Sequence, residues 1–257
     1  MDHAIQAYLR HTAARWRETE RVGPFLATFT PGSENPYLNY AIPDDGAVPT
    51  AADVDALVLA FERRRRTPRL EYLPAPAPAV EQSLVRAGFT ADGRLPVMTC
   101  TRETLVEDDE PVGIEVLVPV TDDELAGTIS ATNEAYVDPA AAHPPSPAAI
   151  ANRRELLSAG GCVVLGRDRA TGEPAGAGIT EVPHVGVTEL AGIGVRPRFR
   201  RRGVATAVTA RLAREAFARH PSLHTIWLTP GGADGQRIYS RVGFVPTSEA
   251  LHISRQG

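Results

Sequence analysis

Leu190 to Gly203 reads LAGIGVRPRFRRRG and runs directly into VATAVTARLAREAF, Val204 to Phe217. The first part is a short apolar strand, the middle a turn loaded with arginines, and the last an amphipathic helix opened by a glycine. A helix beginning just after Arg200, Arg201 and Arg202 points its unpaired N–H groups and the positive end of its dipole back at that turn. An anion is stabilised there. Gly203 lacks a Cβ and Ala205 is nearly as small, so backbone and ligand can approach closely. The rest of the chain is organised around this anion cradle.

Downstream come a second strand, LHTIWLTP (Leu223 to Pro230), and then GQRIYSRVGF, with Tyr239 shortly before Gly243 and Phe244. Arg200, Gly203 and Ala205 fit the pattern Gln/Arg-x-x-Gly-x-Gly/Ala. With Val195 ending the strand before them, Pro197 in the turn and Tyr239 ahead of a Gly-Phe pair, the segment Gly113 to Ser254 resembles the GNAT N-acetyltransferases. The resemblance implies an α/β fold with a twisted mixed sheet flanked by helices, and acetyl-CoA as cosubstrate. It implies that the backbone from Arg200 through Arg201, Arg202, Gly203, Val204 and Ala205 to Thr206 holds the CoA diphosphate. Ile193 and Val195 would pair with the pantetheine arm as with an added strand, and Gly192 and Gly194 suit a bulge or a close backbone approach there. Tyr239 is then the candidate acid for the departing thiolate, and Glu189, ahead of Glu181, the candidate base for an ammonium acceptor. His184 reads as an ordinary loop histidine. The sequence departs from the family pattern at Gly232, where an Asn is common seven residues before the tyrosine.

The N-terminal half repeats the order of the C-terminal half. RLEYLP, VEQSLVRAGF and LPVMTC (Arg69 to Cys100) follow one another as TIWLTP, QRIYSRVGF and ALHIS do later. Gly88-Phe89 lines up with Gly243-Phe244, and Leu84 falls where Tyr239 stands. Two GNAT-like domains are therefore expected, at 1–105 and 113–257, joined by a charged linker at 106–112. The first copy has DDGAVPTAAD (Asp44 to Asp53) in place of the arginine turn. Carboxylates repel a diphosphate, so this copy reads as degenerate.

Within the copies, Asp2 to Arg21 has helical spacing, with Asp2 a candidate cap; FLATFT and YLNYAI read as strands, and Thr50 to Arg66 as a helix. Thr121 with Glu124 is a capping-box signature ahead of LAGTISATNEAYV. Asp138 to Pro147, rich in Pro and Ala, reads as a lid over an acceptor site.

A chain of 257 residues accommodates two domains, and its net charge of −4 calls for neither nucleic acid nor membrane. All 27 basic residues are arginine, which leaves no lysine for Schiff-base chemistry. The run Arg63 to Arg66 reads as cations complementing a helix C-terminus. Cys100 and Cys162 lie far apart without metal-ligand spacing, so no zinc site, other metal or disulfide framework is expected. No apolar run reaches membrane-spanning length, and a soluble cytoplasmic protein, monomer or homodimer, is the expectation. The enzyme reading is an acetyl-CoA-dependent N-acetyltransferase that moves the acetyl group to the primary amine of a small molecule or peptide by direct attack in a ternary complex. Its alternatives are a catalytically silent acyl-CoA sensor and a nucleic-acid binder; the second rests on arginine runs alone.

Overall fold

A computed structural model describes residues 1–106, 111–136 and 144–256. Most of the expected linker, 106–112, and much of the expected lid, 138–147, lie outside the described residues. The chain forms two compact units, Met1–Val97 with Pro246–Gly257, and Met98–Val245. Each is a mixed sheet carrying helices, and the described residues hold seven α-helices.

The first unit opens with α1 (Asp2–Trp16), followed by the hairpin of β1 (Glu18–Val22) and β2 (Phe25–Phe29). Helical spacing up to Arg21 therefore overran the helix by a strand. Asp2 is the first helical residue and caps nothing; its carboxylate accepts from Ser248 Oγ at 2.7 Å. Every residue of β2 is buried, whereas polar β1 is an edge strand with only Val22 buried. The expected strand YLNYAI begins as a short turn of 3-10 helix at Pro36–Leu38, and only Tyr40–Pro43 forms β3.

Helix α2 (Ala51–Glu62) starts at a complete capping box between Thr50 and Asp53 and turns Val54, Leu57, Val58 and Phe61 into the core. After it, Arg63 and Arg64 are committed to Glu20 at 2.9 and 2.6 Å. Then follow β4 (Arg69–Tyr72), α3 (Val80–Arg86) and β5 (Thr90–Cys100).

The second unit runs β6 (Ile114–Leu117), α4 (Asp122–Tyr136), α5 (Pro147–Ser158), β7 (Cys162–Asp168), β8 (Pro174–Thr180), β9 (Val187–Val195), α6 (Val204–Arg219), β10 (Thr225–Leu228) and α7 (Ala233–Arg241); β11 (Val245–Ser254) closes the order. Thr121 and Glu124 form the expected box at the start of α4, each accepting from the other's backbone N–H. Helix α6 lies along β7, β8 and β9, burying ten of its residues.

Apart from β6, which adds an antiparallel edge strand beside β7, strand pairing is the same in both units. In the first, β1, β2 and β3 are antiparallel neighbours, β3 and β4 are parallel, and the strand beyond β4 is antiparallel. In the second, β7, β8 and β9 are antiparallel, β9 and β10 parallel, and the strand beyond β10 antiparallel. The closing strands are exchanged. Beside β4 lies β11, with Leu251 opposite Tyr72, and beside β10 lies the end of β5, with Cys100 opposite Ile226. Leu251 and Ile253 accordingly sit in the first core, and Met98 and Cys100 in the second. The compact units thus divide the strands differently from 1–105 and 113–257.

Two expectations follow. A fragment spanning 113–257 lacks Met98 and Cys100, both fully buried. Losing large buried side chains costs about 2–5 kcal/mol each, as much as a small domain's whole margin. The fragment should melt without a cooperative transition by circular dichroism, while 98–245 retains one.

The second expectation concerns pH. Arg69, 5% exposed, donates to Glu71 at 3.0 Å, to Asp92, and to His252 Nδ1 at 3.0 Å. Burial pushes the imidazole below its ordinary value, and of the charges facing it Glu71 and Asp92 oppose the shift while Arg69 adds to it. A histidine with a depressed folded pKa contributes stability above about pH 6.5, lost as pH falls, because the unfolded chain then binds the extra proton. In urea titrations the wild type should lose stability between pH 7.5 and 5.5. His252→Gln, whose amide oxygen accepts from Arg69 at either pH, should lose less.

Candidate active site

Strands β9 and β10 pair over three positions, ending with Trp227 opposite Glu189, and from there they part. On its other side β9 stays paired to β8, with a register shift between Ala177 and Ile179, opposite Gly192 at φ 61°. The extra residue is a bulge, and it changes which groups face the gap. Arg196 N–H donates to Ala175 O, so one residue earlier the backbone groups of Val195 point the other way, away from β8. Ile193, two residues back, shares that direction. Gly194 serves a different purpose from the expected approach of a ligand. A Cβ there would meet Ala135 and the Thr132 backbone at 2.9 Å, so its absence lets α4 close on β9.

Beyond that point, at the C-terminal end of β9, the structure has a cavity of about 760 Å³ lined by Ile193, Val195, Tyr136 and Tyr239, by the arginine turn and by the first turn of α6. The helix has Gly203 as N-cap, with no side chain capping it. Its leading N–H groups therefore remain available to a ligand. Arg201 at φ 62° and Gly203 at φ 77° both take the left-handed conformation, which curls the turn into a concave run of backbone N–H groups. A Cβ on Gly203 would also meet Pro111 at 3.2 Å. These features fit a diphosphate.

The corresponding turn of the first unit is filled from within. Asp44 pairs with Arg21 at 2.8 Å, and Asp45 with Arg10 at 2.8 Å and with His3. Thr50 and Asp53 occupy the N-terminus of α2. The expected repulsion of an anion is thus largely neutralised; occupation of the donors takes its place.

Of the residues singled out in the sequence, Ile193, Val195, Arg200, Arg201, Gly203, Val204, Ala205, Thr206 and Tyr239 meet at the cavity. Arg202 is turned onto Asp168 at 3.2 Å and over the Phe199 ring. Glu189 and Glu181 are half-buried in the strand region and do not belong to the described cavity wall; the Glu181 N–H donates to Glu189 O at 2.9 Å. Tyr239 packs edge to face with Phe244 at 6.1 Å, and Gly235 lies one turn earlier beside its ring. Burial, with a smaller effect from Tyr136, pushes its phenol up to about 12. It therefore stays protonated across the physiological range and acts as a donor.

Sequence reasoning missed Tyr136, Arg237 and Arg241 on the same wall. Arg237 and Arg241 flank Tyr239 at helical spacing in QRIYSR, a signal that was present. Tyr136 is merely the last residue of an amphipathic pattern. Its hydroxyl donates to Ile193 O at 2.6 Å. Both cysteines are buried, which raises each thiol, and no group of three or more metal-ligating side chains occurs among the described residues. No helix among them is long and apolar enough to cross a membrane.

Residues 130–244 match the model of the acetyltransferase (GNAT) family. Over the whole chain the fold is similar to a GCN5-related N-acetyltransferase from Kribbella flavida, at 25% identity and a TM-score of 0.81, covering 100% of this chain and 96% of that one. A GCN5-related N-acetyltransferase from Sphaerobacter thermophilus is similar at 16% identity and a TM-score of 0.68, covering 96% and 86%. A tandem GNAT protein from the clavulanic acid biosynthesis pathway is similar in fold at 14% identity and a TM-score of 0.64, covering 90% and 77%. No curated protein matches the sequence. The matched residues lie within the second unit, which is thus the part similar to a GNAT acetyltransferase domain. Acyl transfer from acetyl-CoA is the general activity that this family and fold support.

The cradle makes a testable demand on Gly203. An alanine held at φ 77° costs about 1–2 kcal/mol, a fall in Tm of roughly 2–8 °C for a domain of this size. Gly203→Ala should show that fall by calorimetry and also lose the Tm rise expected of the parent chain with acetyl-CoA. Gly172→Ala, at φ 72° in an open turn, should cost similar stability and keep the rise.

Proposed function

We propose that the second unit binds acetyl-CoA in the cavity bounded by the end of β9, the arginine turn, the start of α6 and α7, and transfers its acetyl group to a primary amine by direct attack in a ternary complex. The observation that carries this reading is the meeting, at one cavity, of a strand edge turned outward by a bulge and an uncapped helix N-terminus. The first suits an extended amide arm, the second a diphosphate. Backbone N–H groups of the turn and of α6 hold the phosphates with help from Arg200 and Arg201. An N–H of β9 polarises the thioester carbonyl as the amine attacks. No acyl-enzyme is formed, consistent with two buried thiols of raised pKa.

Tyr239 assists the leaving sulfur. A phenol at about 12 is a far weaker acid than an ordinary thiol near 8.5, so full transfer of its proton to the thiolate is uphill. Its contribution is a hydrogen bond that strengthens as charge develops on sulfur. Glu189 lies four residues before Ile193, about 13 Å along the strand. As a base it works through water. The first unit, with its turn occupied and Leu84 buried where the second has Tyr239, is a degenerate copy that binds no CoA.

Tyr239→Phe should lower kcat by about 10²-fold or more with little change in acetyl-CoA affinity. Calorimetric titration of the parent chain should give one CoA per chain. The assay is release of free thiol from acetyl-CoA across a panel of amines. Unchanged turnover in the variant would remove the phenol from the mechanism, and a stoichiometry of two would restore the first unit as a site. Tight CoA binding with no turnover on any amine would favour a silent sensor.

A further inference from the structure

Both carbonyls that β9 turns toward the cavity already accept a side-chain hydrogen bond. Tyr136 Oη donates to Ile193 O at 2.6 Å, and Arg200 Nε donates to Val195 O at 3.3 Å. Arg200 also reaches Ala135 O, at 3.3 Å, with a second nitrogen. The two donors come from different elements, Tyr136 from the last turn of α4 and Arg200 from the arginine turn. An open strand edge is a template for any extended chain, and here side chains cover it.

Neither donor is fixed by burial. Tyr136 is 67% exposed over the whole residue and Arg200 is exposed as well; burial is confined to the hydroxyl end of Tyr136, where it raises the phenol, so the ring is free to swing away. The end of α4 is nevertheless held in place one and two residues earlier. Glu134 binds Arg196 at 2.8 Å, and the missing Cβ of Gly194 lets Ala135 approach β9. The helix end is thus a firm mount carrying a movable phenol.

We propose that Tyr136 and Arg200 are displaceable caps on the β9 edge, which select for a ligand that brings its own N–H donors along an extended arm. The proposal rests on the acyl-CoA reading of the cavity. An amide N–H from the arm takes over the Ile193 carbonyl as the phenol releases it, so one hydrogen bond replaces another. An alkyl arm without N–H groups would leave the carbonyls bare, a loss no other contact repays. A nucleotide with no arm occupies the phosphate end and leaves the caps shut.

The sign of the test is unusual for a residue that lines a site. Tyr136→Phe keeps the ring and removes only the donor, so the ligand no longer competes with it for the carbonyl. A hydrogen bond of this kind is worth about 0.5–1.5 kcal/mol net, so CoA should bind about 2- to 12-fold tighter. 3′-Phosphoadenosine 5′-diphosphate, which keeps the diphosphate and lacks the arm, should bind the variant and the parent equally. Isothermal titration of both proteins with both ligands measures this. Weaker or unchanged CoA binding in the variant overturns the proposal. A parallel change for both ligands also overturns it, since the substitution would then act through the end of α4. If the parent binds neither ligand, the acyl-CoA reading fails and the caps fall with it.

Discussion

The parting of β9 from β10 after Glu189 and Trp227 is the constraint on which the second unit's architecture turns. A parallel pair that continued to the end of β9 would satisfy the edge of Ile193 and Val195 internally and leave no slot. The bulge at Gly192 adds the second half of the condition, because it decides which carbonyls and N–H groups face outward. Everything at the cavity follows from these two local events. The arginine turn continues from the end of β9, α6 begins where that turn ends, and α7 brings Tyr239 across from the far side.

The two units show how one topology reaches opposite outcomes at the same place. In both, a parallel strand pair leads through a turn into a helix. In the first, Thr50 and Asp53 satisfy the leading N–H groups of α2, and arginines and a histidine hold the acidic turn. In the second, Gly203 leaves the same groups of α6 unsatisfied, and the turn is positively charged. A capping box stabilises a helix by about the amount that an anion would otherwise supply there. Local stability and ligand binding compete for the same donors, and each unit has settled that competition differently.

Much of this was legible in the chain because the signals are local. The arginine turn, the glycine opening α6, the capping boxes at Thr50 and Thr121 and the apolar faces of α2 and α6 each depend on residues a few positions apart. Strand β1 was not legible, since ETERV on an edge carries no apolar alternation. The exchange of closing strands was invisible for a different reason. LPVMTC and ALHIS have similar patterns, and nothing in either says whether its neighbour will be β4 or β10. Tyr136 escaped because its role depends on Ile193, 57 residues away. Gly194 was read toward a ligand when its constraint is the backbone of α4.

Because the strand beside β4 is β11, the first unit's sheet stays incomplete until the second unit has been translated. The ribosome thus releases an N-terminal half whose β4 edge has no partner for the whole time the second half is being made. Domains usually fold in the order in which they emerge. Here the order is inverted for the last step: the first core closes only when Leu251 and Ile253 arrive. Until then the β4 edge is an open template for pairing with any extended chain, so the N-terminal half is exposed to edge-to-edge association for as long as the second half is being made.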